Sequence, residues 1–155
     1  MHEQYAQLIT GLSLFKGYTA QGAQRLIDSG EIKEHPAGEV LFKEGGAPTD
    51  VFLVLTGKLQ VFVERQDRVL ILTDAGPGTI LGELGVLCGL ERAASVRVIE
   101  PSNVLQWDAE AFRSLLFKDV FLSERIFRQS LRTLIEKERS LIASITQTQS
   151  GSATS

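Results

Sequence analysis

One cysteine, one methionine, one tryptophan and two histidines are all that 155 residues supply of the side chains most used for disulfides, redox chemistry and metal binding. Cys88 has no internal partner, so no intrachain disulfide forms, which fits a reducing cytoplasm. His2 and His35 are too few and too far apart to build a metal site. No apolar run approaches the roughly 20 residues of a membrane span. The opening MHEQYAQLITGLSLF lacks the charged and then apolar segments of a signal peptide, so a cytoplasmic, soluble protein is expected. A basic excess is missing too. The net charge of −3 argues against a general polyanion binder, yet it permits one basic residue aimed at one small phosphate.

What is present is one domain's worth of chain, with 43% apolar and 23% charged residues. Three periods follow one another along it. Residues 1–30 read as helices, with Thr19 as the cap of AQGAQRLIDS and Gly30 as its stop. Residues 31–107 read as short strands: Val40–Phe42, Val51–Leu55, Leu59–Val63, Val69–Leu72, Thr79–Leu81, Ser95–Ile99 and Val104–Trp107. Pro36–Gly38, Gly45–Gly46, Thr56–Gly57, Arg65–Arg68 and Gly76–Gly78 separate them, a spacing that predicts a sandwich or barrel. Residues 108–146 turn helical again, Asp108 capping AEAFRSLLF and a long helix running from about Asp119 to Ile145.

On that helix Phe127, Leu131, Leu134, Leu141 and Ile145 form a heptad seam with Glu138 in its gap, which implies a partner helix and a homodimer. A second stripe, Leu122, Ile126, Ile135 and Ile142, is placed to pack on the strands. The polar TQTQSGSATS of residues 147–155 is expected to be a disordered tail or the start of a linker.

The segment that carries chemistry is Leu81–Ala94, LGELGVLCGLERAA. It joins two strand patterns but is far longer than a hairpin loop of two to five residues. One acid, Glu83, and one base, Arg92, interrupt an otherwise apolar, glycine-rich run. A short helix around Leu84–Cys88 would turn its first N–H groups toward Gly82 and Glu83, a setting that suits phosphate. A carboxylate only accepts and so suits a sugar hydroxyl, whereas a guanidinium fork suits phosphate oxygens. Spacing alone leaves open a salt bridge between Glu83 and Arg92 that merely pins the loop.

The order Gly82-Glu83-Leu84-Gly85, a few variable positions, then Arg92-Ala93-Ala94-Ser95-Val96 resembles the phosphate-binding cassette of cyclic nucleotide-binding domains. Catabolite activator proteins and regulatory subunits of cyclic AMP-dependent protein kinase are of this type. Leu12–Phe15, Pro36–Phe42, Val51–Gly57 and Gly78 resemble family positions as well, so the likeness runs from about Leu8 to Lys137. It implies a mainly β fold with flanking helices: an antiparallel β-roll (jelly roll) with N-terminal helices and a long C-terminal helix. It further implies that Glu83 accepts from the ribose 2′-hydroxyl and that Gly82 lets the backbone come close. Arg92 would pair with the cyclic phosphate beside main-chain N–H groups around Gly85 and Ala93, with Leu84 and Ala94 completing the cassette. Ala93 stands where some cyclic GMP-selective relatives carry Thr, which tilts the expected ligand toward cyclic AMP. No cofactor is implied.

Two departures accompany the likeness. Lys137 and Glu138 stand where catabolite activator proteins carry a Thr-Ser pair against the base. The helix-turn-helix of the DNA-reading relatives does not follow within these residues, so no DNA-binding domain is expected in this chain. The implied mechanism draws the cassette in on ligand phosphate, packs it on a hinge near Phe112–Phe117 and shifts the long helix. A dimerisation module that binds no nucleotide is the alternative, and a jelly-roll metalloenzyme lacks ligands. Enzyme activity is not expected: Ser13, Ser95 and Ser102 have no His placed to activate them. Cys88 is expected to be a buried structural thiol, Trp107 core and Arg97 surface.

Overall fold

A computed structural model describes residues 3–153, with side chains to residue 146. Helix α1 (Glu3–Thr10) leads through a 3-10 turn (Ser13–Phe15) to α2 (Ala20–Asp28). Thr19 caps α2 as expected, its hydroxyl accepting from Gly22 N–H at 3.0 Å. Then come β1 (Glu31–His35), β2 (Val40–Phe42), β3 (Asp50–Arg65), β4 (Arg68–Ala75) and β5 (Ile80–Leu81). A short helix α3 (Glu83–Cys88), strand β6 (Ser95–Asp108) and helix α4 (Ala109–Lys118) complete the first of two compact units, residues 1–119.

All the pairings are antiparallel. The main path runs β1-β6-β3-β4, with β2 also on β6 and β5 also on β3. This is the expected roll, but its backbone is two long strands rather than four short ones. Val51–Leu55 and Leu59–Val63 are halves of β3, and Ser95–Ile99 and Val104–Trp107 are halves of β6. Thr56–Gly57 is a bulge, not a turn. Gly57 has φ +95°, and a Cβ there would lie 2.1 Å from Ser102 Oγ. Side chains stand in for the interrupted ladder: Lys58 N–H donates to Ser102 Oγ, and the N–H and side-chain amide of Asn103 both donate to Thr56 Oγ1. The β3–β4 turn uses Gln66 and Asp67, both with positive φ, as two-residue hairpins require.

Strand β1 carries one apolar residue in EIKEH and is held by its register on β6, Glu31 opposite Gln106 through His35 opposite Ser102. The roll's interior is filled by Phe52, Val54, Leu59, Val61, Ala75, Leu81, Val96, Val98 and Val104. Val51, Leu53 and Leu55 point the other way and are equally buried, since α1 and α4 pack on β3. That two-sided burial is why Val51–Leu55 reads as a continuous apolar run without alternation. Trp107 is core as expected; its Nε1–H donates to Leu26 O at 3.0 Å and its ring lies 5.8 Å from that of Phe112.

The second unit is residues 120–155, essentially one helix, α5 (Val120–Ala153). It runs past the expected end near Ile145, so residues 147–153 of the segment read as a tail are helical backbone; the final two lie outside the described residues. No proline interrupts that stretch, and a nucleated helix propagates one bond per residue. Along α5 Leu122 and Ile126 are buried, whereas Ile135 and Ile142 of the same expected stripe are exposed. The seam residues Phe127, Leu131, Leu134, Leu141 and Ile145 are all exposed.

Candidate ligand site around Arg92

Arg92 is the centre of the site. It lies in the irregular segment between α3 and β6 and is only 4% exposed. Its main chain is clamped by the β2–β3 loop: Gly45 N–H donates to Arg92 O at 2.8 Å, and Arg92 N–H donates to Gly46 O at 2.9 Å. Its guanidinium donates through Nη1 to Gly82 O at 2.9 Å and through Nη2 to Asp50 O at 2.7 Å. The Phe42 ring lies beneath it, 4.1 Å from Cζ to the ring centroid. Nε is buried with no hydrogen-bond partner. Burial pushes the guanidinium below its ordinary pKa, and the fields of the Asp50 and Glu83 carboxylates push it back up.

The cassette is built around that side chain. Gly82 caps α3 with φ +83°, and a Cβ there would lie 2.4 Å from Arg92 Nη1. Gly85 faces Leu90 O and Pro48, where a Cβ would lie 2.9 and 3.1 Å away. Glu83 opens α3 and is half-buried, as are Leu84 and Gly85; Ala93 is exposed. Ala94 packs against the interior cluster of the roll. The structure therefore brings Gly82, Glu83, Leu84, Gly85, Arg92, Ala93 and Ala94 into one segment of the first unit. Lys137 and Glu138 lie on α5, in the other unit, and are solvent-exposed there.

Two side expectations are corrected. Cys88 is exposed, because Val86 takes the buried side of α3 and a residue two positions on faces away. Arg97 is half-buried rather than free surface: its Nε and Nη2 donate to Gln60 Oε1 at 2.9 and 2.6 Å, over the Phe62 ring. Val96 and Val98 do share the inner face, but register places Arg97 opposite Gln60.

Sequence reasoning missed Phe42 and Asp50. Asp50 contributes its main-chain carbonyl, which leaves no mark in the sequence. Gly45–Gly46 gave a signal, read only as punctuation. Among the described residues no group of three His, Cys, Asp or Glu could hold a metal, and no helix is long and apolar enough to cross a membrane.

The arrangement can receive a small anion: a buried cation sits beside a glycine-rich turn, with a carboxylate nine positions before it in sequence. Comparison with known proteins agrees. The chain is 32% identical over 82 residues to lysophospholipase NTE1 of Cryptococcus neoformans, covering 53% of this chain and 5% of that protein. It thus spans a small part of the curated relatives it matches. The catabolite activator protein of Thermus thermophilus superposes with a TM-score of 0.75 at 24% identity, covering 83% of this chain and 61% of that one. The regulatory domain of Toxoplasma gondii PKA, solved with cAMP, superposes with a TM-score of 0.62 at 22% identity, over 72% and 43% of the two chains. These two likenesses show the fold. The sequence pattern of the cyclic nucleotide-binding domain matches residues 32–119, from β1 to the end of α4, and the chain belongs to that family.

Proposed function

We propose that this domain is a cyclic AMP sensor in the cytoplasm, in which Arg92 takes the cyclic phosphate, Glu83 the ribose hydroxyl, and the response passes to α5. The observation that carries the reading is the seat of Arg92. Its guanidinium is bonded to the neutral carbonyls of Gly82 and Asp50, with Nε unused. An anion would meet a cation already desolvated and oriented, which makes each charge-assisted hydrogen bond worth about 1.5–3 kcal/mol net. Exposed Ala93 supports cyclic AMP over cyclic GMP, since it brings no hydroxyl toward the base. The exposed seam on α5 supports a homodimer through that helix.

The test is thermal unfolding with cyclic AMP, cyclic GMP and linear monophosphates, each over a concentration series. A ligand of the native state stabilises by about 2.7 kcal/mol at a hundredfold excess over its Kd. The reading expects the largest rise with cyclic AMP and its loss in Arg92→Ala. Removing two charge-assisted bonds, offset by those Arg92 already makes to carbonyls, costs up to about 100-fold in affinity. No rise with any cyclic nucleotide, in folded protein, would favour a module that only dimerises.

A further inference from the structure

Helix α3 is held at both ends by arginines. At its start, the carbonyl of its cap residue Gly82 accepts from Arg92 Nη1. At its end, the N–H groups of Gly89 and Leu90 both turn to Gly85 O, and the next carbonyl, Val86 O, accepts from Arg113 Nη2 at 3.1 Å. The last carbonyls of any helix lack intrahelical donors and form its negative end, so a guanidinium is a suitable cap. Arg113 belongs to α4, one residue after Phe112, which is fully buried. Val86 is equally buried, so α3 cannot shift without moving the carbonyl that Arg113 holds.

We propose that Arg113 is the positioning residue that ties α4 to the cassette: a displacement of α3 caused at Arg92 is delivered to α4 through the Arg113–Val86 hydrogen bond. The inference rests on the reading that a cyclic nucleotide binds at Arg92. A ligand phosphate competes with Gly82 O for Nη1, which frees or draws the start of α3. Because α3 is six residues long, about 9 Å, it moves as a short rod and its far end pulls on Arg113. A directional bond to a main-chain atom makes α4 follow a shift of that atom.

The experiment pairs titration calorimetry with hydrogen–deuterium exchange over Ala109–Lys118, using cyclic AMP and cyclic GMP as probes. It compares the unsubstituted chain with Arg113→Gln and Arg113→Lys. Arg113 is exposed, so both variants should fold, and unchanged exchange in the β-roll checks that they do. The expected result is binding heat in all three, a ligand-induced change of exchange in α4 of the unsubstituted chain, its loss in Arg113→Gln and its retention in Arg113→Lys. Affinity of the Gln variant should move by no more than a typical coupling factor, about 5–150-fold. Heat with an unaltered α4 response in Arg113→Gln overturns the inference. So does heat without any α4 response in the unsubstituted chain, or complete loss of heat in Arg113→Gln. Absence of heat with both nucleotides in the unsubstituted chain overturns the binding reading itself, and this inference with it.

Discussion

Replacing Gly82 with alanine should damage Arg92 more than it damages the backbone, and a second glycine separates the two effects. Gly82 has φ +83° and Gly38 has φ +94°, so an alanine at either site carries the left-handed cost of about 1–2 kcal/mol. At Gly38 the new methyl meets nothing within 4 Å. At Gly82 it would lie 2.4 Å from Arg92 Nη1 and 3.2 Å from Asp50 O. The carbonyl is main chain and stays, so the guanidinium must swing off Gly82 O. Arg92 is 4% exposed, so water does not replace the lost bond, and a charge-assisted hydrogen bond of about 1.5–3 kcal/mol goes with it. Gly82→Ala should therefore lose about 2.5–5 kcal/mol against about 1–2 for Gly38→Ala. At 2–4 °C per kcal/mol for a chain of this size, those losses lower Tm by about 5–20 °C and about 2–8 °C. Calorimetric unfolding measures both, with and without cyclic AMP. Gly38→Ala should keep the full ligand-induced rise and Gly82→Ala should lose most of it. Equal Tm losses and equal ligand responses in the two variants would refute the argument that Gly82 exists to seat Arg92.

Two further outcomes are expected. The Glu44 carboxylate grips Arg65 through two hydrogen bonds of 2.8 and 2.7 Å, which holds it below its ordinary pKa of 4.5. A depressed carboxylate contributes above its unfolded pKa and stops contributing as pH falls through the folded one. Urea unfolding should thus show Glu44→Gln less stable at neutral pH, with the gap closing below pH 4.5; a gap that ignores pH would defeat the assignment. For α5, Leu134→Glu places a charge in the centre of the seam, where an unpaired charge between helices costs several kcal/mol. Sedimentation equilibrium should find the unsubstituted chain as a dimer and the variant as a monomer, and identical masses would remove the seam from consideration.

Where sequence reading succeeded, a local rule sufficed. Thr19 and Asp108 cap their helices because a short polar side chain before an apolar period satisfies a free N–H; Asp108 accepts from Ala111 N–H at 2.7 Å. The cassette was legible because one acid and one base in a glycine-rich apolar run demand a reason. Where it fell short, the determinant was distant in sequence. Strand β1 exists because β6 pairs with it, and EIKEH alone has no strand period. Thr56–Gly57 looked like a turn because the Ser102 and Asn103 side chains that make it a bulge lie more than 40 residues away. Arg113 gave no signal at all: an arginine on a helix is ordinary until Val86 O is found at its tip.

Gly82 has a cause different from the one its sequence context suggests. A glycine-rich loop beside a phosphate site invites the thought that the missing side chains make room for ligand. Here one of the cassette glycines is fitted to an arginine instead. A Cβ on Gly82 would strike Arg92 Nη1, whereas the tightest neighbour of a Cβ on Gly85 would be Leu90 O, 2.9 Å away, and on Gly46 of the β2–β3 loop Lys43 O, 3.0 Å away. Gly45 and Gly46 also supply the two main-chain bonds that fix the Arg92 backbone. The loop between β2 and β3, the start of α3 and the Phe42 ring thus form a socket for a cation before any anion arrives. A free arginine on a loop would lose side-chain freedom on binding, at a cost of up to about 2 kcal/mol. Arg92 has already lost that freedom on folding. Gly82 therefore acts on the ligand indirectly, by removing that ordering from the free energy of binding.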